Sequence, residues 1–206
     1  KYIAATTAKA IVCEFHPETG FPMNDAARAL CVAQWKGEVV HGAGSGQMYI
    51  DYDVLRTATN NFNESNLLGL GASCRVFKAN VYGYLTAIKC LTENAGAWDD
   101  KQLDAEMGIL RRVSHPHINN LLAASLNGTN RCLVLEYMNG GALDTRLLST
   151  TCPLIEWQDR ALILLHVGRG LVYIHSLDPP VIHRDVKTGN VLLRYSEGSS
   201  LSLIHI

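Results

Sequence analysis

The chain has 206 residues, 48% of them apolar and 18% charged, the balance of a protein with a sizeable core and not of a disordered segment. Its net charge of −1 gives no electrostatic basis for a nucleic-acid partner or an anionic membrane surface. No apolar run approaches the roughly 18 residues needed to span a bilayer, and the six cysteines contain no C-x-x-C pair, which favours reduced thiols in a cytosolic protein.

The chain begins at Lys1 and not at Met, so membrane association is expected only through upstream sequence. Residues 1–50 carry few signals and form a flanking segment of undefined structure. Within it, residues 24–34 have the spacing of a short helix capped by Asn24 or Asp25. His16 and His41 have no partner at metal-ligand spacing, and the glycines of 42–46 mark a linker and a boundary. Residues 52–62 repeat Val54, Leu55, Ala58 and Phe62 at helical spacing behind Asp51 or Asp53 as cap. Residues 67–81 read as strand, turn and strand, and residues 85–91 as a strand with one lysine, Lys89, among apolar neighbours. A buried lysine is costly without a partner. The helix of 99–113 has its apolar stripe on Leu103, Met107 and Leu110, with Glu106 on or beside it, so Glu106 is the expected partner. The bend at His115 and Pro116 ends that helix, and a turn explains His115 and His117 better than a metal site. Residues 119–125 and 131–137 are two more strands around Asn127 and Gly128, a hairpin signal. Asn139, Gly140 and Gly141 make a flexible break, residues 142–148 start a second unit, and residues 153–177 form the longest helix. Its apolar face is Ile163, Val167, Gly170, Leu171 and Ile174.

Residues 181–193 set five polar or ionisable side chains, His183, Arg184, Asp185, Lys187 and Asn190, between the apolar runs Val181–Ile182 and Val191–Leu193. Both ends are expected to be anchored in a core, giving a rigid loop suited to positioned chemistry. Leu68, Gly69, Gly71 and Val76 have the pattern of a glycine-rich loop, which lets backbone N–H groups approach phosphates.

Taken in order, residues 62–193 resemble a eukaryotic protein kinase. The carriers are G-x-G at Gly69 and Gly71, A-I-K ending at Lys89, Glu106, and H-R-D-x-K-x-x-N at 183–190. The strings at 58–62, 154–157 and 170–175 resemble the plant receptor-like and Pelle-type serine/threonine kinases. The implied fold is α+β and two-lobed: a complete N-lobe at about 62–138, antiparallel sheet plus one helix, and a truncated helical C-lobe at 139–195, in a domain of 51–195. The resemblance implies phosphoryl transfer from ATP with Mg2+ to serine or threonine hydroxyls of protein substrates. Lys89, held by Glu106, would meet the α- and β-phosphates; Asp185 would take the substrate proton; Lys187 would stabilise the transferring group; Asn190 would hold a metal ion. Leu68, Val76 and Ala87 would roof the adenine, Leu192 would floor it, Glu136 and Met138 would give backbone contacts, and Leu135 would be the gatekeeper. Arg184 implies control by activation-loop phosphorylation, and the implied location is cytoplasmic, as the intracellular part of a receptor where a span lies upstream.

Two departures stand out. Cys74 replaces the third glycine of the loop, which motivates the alternative of a non-catalytic pseudokinase or ATP-binding scaffold. D-F-G and A-P-E do not follow residue 193, so the polypeptide as written is expected to be an inactive fragment. Residues 196–206 are expected to be non-native or disordered, because codons for Leu201 to Ile206 resemble a sequencing adapter.

Overall fold

The computed structural model describes residues 39–41, 48–71, 74–91, 107–108, 113, 115–127, 130–152, 154–195 and 201–205. The expected helix of 24–34, the glycine stretch of 42–46, and most of the helix of 99–113, including Glu106, lie outside these. Seven strands form one sheet, β1 Val39–His41, β2 Met48–Ile50, β3 Leu67–Leu70, β4 Cys74–Val81, β5 Tyr84–Leu91, β6 Leu121–Asn127 and β7 Asn130–Glu136, in the order β1-β2-β6-β7-β5-β4-β3. Every pairing is antiparallel except β2 with β6, joined at Tyr49 and Ala124. Two strands from before residue 51 thus extend the sheet.

The β4–β5 hairpin closes at Tyr82 and Gly83, both with positive φ (52° and 89°), between paired Val81 and Tyr84. This is the twist a two-residue hairpin favours. Alternation gives the sheet two different faces. Ala79, Val81, Ile88, Cys132 and Val134 pack with Ile50 and Leu55 on one side. On the other, Leu133 and Ala124 pack with Met107, itself fully buried and helical.

Helix α1, Tyr52–Ala58, covers the first face. Its cap is Asp51, whose side chain accepts from the Asp53 N–H. The helix is shorter than its 52–62 periodicity suggested, because Asn60, Asn61 and Phe62 all take left-handed backbone, φ 52°, 57° and 51°. Asparagine tolerates that region best among non-glycine residues. Buried Thr59 fixes the exit: its hydroxyl donates to the Leu55 carbonyl (2.8 Å) and accepts from the Phe62 N–H (3.0 Å), and its own carbonyl accepts from Asn66 Nδ2 (2.9 Å). Phe62 then stacks on Tyr52 and meets the edge of Phe77, with 5.5 Å between centroids in each case.

Beyond the sheet, β8 Gly141–Ala142, β9 Leu192–Tyr195 and β10 Leu201–His205 make a small sheet in the order β10-β9-β8. Of the residues expected to be a foreign or disordered tail, Leu201–His205 pair antiparallel with β9. Helix α2, Leu143–Leu148, follows β8, and helix α3, Trp157–His175, occupies most of the expected 153–177 span. Ile163, Gly170 and Ile174 of α3 are buried as its periodicity required, and so is His166. His166 stacks on His117 (3.9 Å), His117 meets His115 edge-on (5.3 Å), and His115 stacks on Tyr173 (4.7 Å). The bend at residues 115–118 is therefore clamped to α3 through rings.

A buried ion pair ties the two sheets together. Glu136, at the end of β7, is wholly buried, and its carboxylate accepts from Arg194 Nη2 of β9 (2.8 Å) and from Asn120 Nδ2 (3.0 Å).

Three outcomes follow from this packing. Thr59→Val keeps the shape but deletes the hydroxyl's bonds to the Leu55 carbonyl and the Phe62 N–H, and should lower stability by about 1–3 kcal/mol in urea denaturation. Arg194→Met strands a buried carboxylate and should cost about 3–5 kcal/mol, whereas the double variant Glu136→Gln, Arg194→Met should recover much of that loss. Burial holds His115 below the ordinary histidine range, and burial followed by the nearby Arg169 charge does the same for His166. The unfolded chain therefore binds these protons at higher pH than the fold does. Stability should be intact above about pH 6.5 and fall as pH drops through the folded values. Urea midpoints between pH 5 and 7.5 should show a shallower acid decline in His166→Gln.

Candidate active site

The first half of the site is a sheet face. Register places Val76 opposite Lys89, Lys78 opposite Ala87 and Cys74 opposite Leu91, while on the other flank Lys89 opposes Leu133 and Ala87 opposes Leu135. Val76, Ala87, Lys89 and Leu135 thus share the face that carries Leu133 and Met107, and all four are half-buried. Lys89 is less enclosed than a mid-strand lysine in an apolar run suggested. Its expected partner Glu106 lies outside the described residues, although Met107, next to it in sequence, packs on Leu133 beside Lys89.

The glycine-rich turn joins β3 to β4. The Gly71 N–H donates to the Cys74 carbonyl (2.8 Å), closing the turn. Neither Gly69 nor Gly71 has positive φ, so what these glycines supply is space. A Cβ on Gly69 would meet nothing within 4 Å, and one on Gly71 would lie 3.2 Å from Cys74 Sγ. The thiol at the third position of the motif therefore leans back on the turn itself. Leu68 is exposed.

The connection after β7 is clasped onto β9. The Tyr195 N–H donates to Asn139 Oδ1 (2.9 Å), Asn139 Nδ2 donates to the Tyr195 carbonyl (3.1 Å), and the Gly140 N–H donates to the Leu193 carbonyl (2.9 Å). Gly140 is required by closeness, since a Cβ there would sit 2.7 Å from the Leu193 carbonyl oxygen. Gly141 has φ 66° and its N–H donates to the Met138 carbonyl (3.2 Å). Sequence reasoning read this segment as a flexible break. The structure shows a fastened one. The missed participants are Asn120, Asn139 and Arg194; the signal for the last was a lone arginine ending the apolar run 191–193.

The second half of the site is the loop of 181–191. It leaves α3 through a cis peptide between Asp178 and Pro179, and the Val181 N–H then donates to the Ile174 carbonyl (2.9 Å). The expectation of a core anchor on both sides holds only in part. Val191 and Leu193 are buried, and Val181 packs on Val113, Ile118 and Ile174, but Ile182 is 65% exposed. Leu192, between two buried neighbours, is half-buried on β9.

Three of the expected residues converge. Lys187 Nζ lies 2.9 Å from Asp185 Oδ2. Asn190 Nδ2 donates to the same oxygen (2.8 Å) and to the Asp185 carbonyl (2.7 Å). The Asp185 N–H donates to His183 Nδ1 (3.3 Å), so His183 acts as a brace within the loop. A 3-10 turn over Thr188–Asn190 returns Asn190 to Asp185. Arg184 has φ 63°, an uncommon conformation for a residue with a side chain and one found at functional sites. The Lys187 ammonium, then the Asn190 amide, hold the Asp185 carboxyl below the usual carboxylate range. At neutral pH the loop therefore presents an ionised carboxylate with a cation and an amide on one oxygen.

Comparison with known proteins agrees with this geometry. The family described as protein kinase domain matches residues 62–204. A receptor protein kinase, WSS1, from Oryza sativa subsp. japonica is 41% identical over 71% of this chain and 17% of its own length. U-box domain-containing protein 52 from Arabidopsis thaliana is 39% identical over 77% of this chain and 19% of its own. A probable serine/threonine-protein kinase, PBL26, from the same plant is 38% identical over 72% of this chain and 37% of its own. The chain thus spans a small part of the length of these relatives. A two-faced sheet, a clasped connection and an Asp–Lys–Asn loop stand in the family's order, and the chain belongs to the protein kinase family, resembling its plant receptor-like members.

Proposed function

We propose that this chain supplies the nucleotide lobe and catalytic loop of a serine/threonine kinase that moves the γ-phosphoryl group of Mg-ATP to protein hydroxyls. The Asp185–Lys187–Asn190 cluster carries the reading. A carboxylate that must orient a hydroxyl and accept its proton late in transfer has to be ionised and fixed, and this one is both. Lys187, already against Asp185, is placed to neutralise charge on the transferring group without a further partner having to arrive. Lys89, on the face shared with Val76 and Ala87, is the cation for the α- and β-phosphates, with Glu106 as its expected partner. Leu68, Val76 and Ala87 roof the adenine, Leu192 floors it, and the Glu136 and Met138 backbones edge it.

The residues fit a hard divalent cation. Asn190 spends its Nδ2 on Asp185, which leaves the amide oxygen Oδ1 as the donor that Mg2+ prefers. Bound Mg-ATP supplies the phosphoryl group and neutralises its oxygens. This chain's own residues position the acceptor and hold the charges. Serine or threonine as acceptor rests on Lys187 two residues after Asp185, and control by a phosphate on the activation segment rests on Arg184 beside it. Among the described residues no helix is long and apolar enough to cross a membrane, so a receptor architecture would depend on sequence outside them. The competing reading is an ATP-binding scaffold, motivated by Cys74.

Two variants of the full-length gene product separate these readings. Asp185→Asn should lower peptide phosphorylation by about 10²–10⁴-fold while ATP-analogue affinity is retained, and undiminished turnover would remove Asp185 from its role. Lys89→Met should weaken ATP-analogue binding itself. A wild-type protein that binds the analogue but phosphorylates nothing, itself included, would favour the scaffold.

A further inference from the structure

Cys90 and Cys132 stand directly opposite each other on the antiparallel neighbours β5 and β7, and their Sγ atoms are 3.1 Å apart. Both are free thiols. Opposed residues in an antiparallel pair have Cα atoms about 4.5–5.5 Å apart, inside the span of about 4.4–6.8 Å that a disulfide bridges. The bond therefore needs side-chain rotation and no shift of strand. The two thiols differ in access. Cys132 is 2% exposed in the cluster with Ile88 and Val134, beneath Tyr52 of α1, whereas Cys90 is half-buried next to the end of β5 at Leu91. The hydrogen bond between the Cys132 and Cys90 thiols, together with burial, pushes the Cys132 thiol up, so Cys132 is unsuited to react first with a reagent from solution.

We propose that Cys90 and Cys132 are a dithiol–disulfide redox site in the sheet, oxidised by small disulfides such as glutathione disulfide. Cys90 as thiolate attacks one sulfur of glutathione disulfide, forming a Cys90–glutathione mixed disulfide and releasing one glutathione. Cys132 gives up its proton and attacks the Cys90 sulfur, forming the Cys90–Cys132 bond and releasing the second glutathione. Two protein thiols are oxidised, one glutathione disulfide is reduced to two thiols, and the two protons pass to them. The bond would lock β5, which carries Lys89, to β7, which leads into the clasped connection. The proposal does not depend on phosphotransfer.

The test uses the reduced 206-residue chain in glutathione disulfide, followed by alkylation, digestion and mass spectrometry. The expected product joins the Cys90 and Cys132 peptides. Cys132→Ala should retain glutathione on Cys90, and Cys90→Ala should leave Cys132 alkylatable and unmodified. Oxidised wild-type protein should also melt higher than reduced protein by about 5 °C or more, reversibly with dithiothreitol. A persistent glutathione adduct on wild-type Cys90, or a bond from either cysteine to Cys13, Cys31, Cys74 or Cys152, would overturn the proposal without any variant having to fold.

Discussion

The carboxylate of Glu136 constrains more of this structure than any other single group. It is wholly buried at the point where the large sheet ends and the chain turns toward the second one. A charge in that position is tolerable only with partners of fixed geometry. Arg194 comes from a strand 58 positions later, and Asn120 from the segment before β6. Satisfying one carboxylate therefore fixes β7 against β9, and the Asn139 and Gly140 contacts continue the seam residue by residue. Arg194 lies on the strand that follows the loop of 181–191, so the loop's exit is positioned by the same pair.

Once β7 is fixed, strand alternation does the rest. A single step along β5 separates two kinds of chemistry, because Lys89 and Cys90 point to opposite faces. On the Lys89 face, Val76, Ala87, Lys89 and Leu135 are half-buried beside buried Leu133 and Met107. The Cys90 face is sealed by α1, and its seal depends on Thr59 turning the chain so that Phe62 closes over Phe77. The order of the sheet thus converts an alternating sequence into two faces with different packing.

Much of this was legible. The polar string of 183–190 demanded a special environment, and hydrogen bonding supplies one, whereas Lys89 is half-buried and its expected partner Glu106 lies outside the described residues. The hidden features were those in which distant residues cancel one another's cost. Arg194 at the end of an apolar run had no local explanation, because its partner Glu136 was itself read as a backbone contact. Asn139, Gly140 and Gly141 have the composition of a flexible break, yet close approach to Leu193 gives Gly140 a steric reason. Three successive left-handed residues at 60–62 were invisible to a periodicity that continues smoothly through Phe62. The burial of His166 had no signal along its own helix, because its partner ring, His117, belongs to another segment.

The loop of 181–191 obeys a different logic from the seam beneath it. The side chains of Asp185 and Lys187 are 61% and 59% exposed, and an ion pair that open to water contributes little to stability. The cluster is therefore not holding the fold together; the fold is holding the cluster. Its geometry comes from short-range backbone constraints, the left-handed Arg184, the Asp185 N–H on His183, and the 3-10 turn that returns Asn190. These are fastened at one end by Val181 on α3 and at the other by buried Val191 and Leu193. A carboxylate fixed this way stays solvated and ionised while its neighbours set its position, which spares the exposed loop the desolvation that a buried charge would incur.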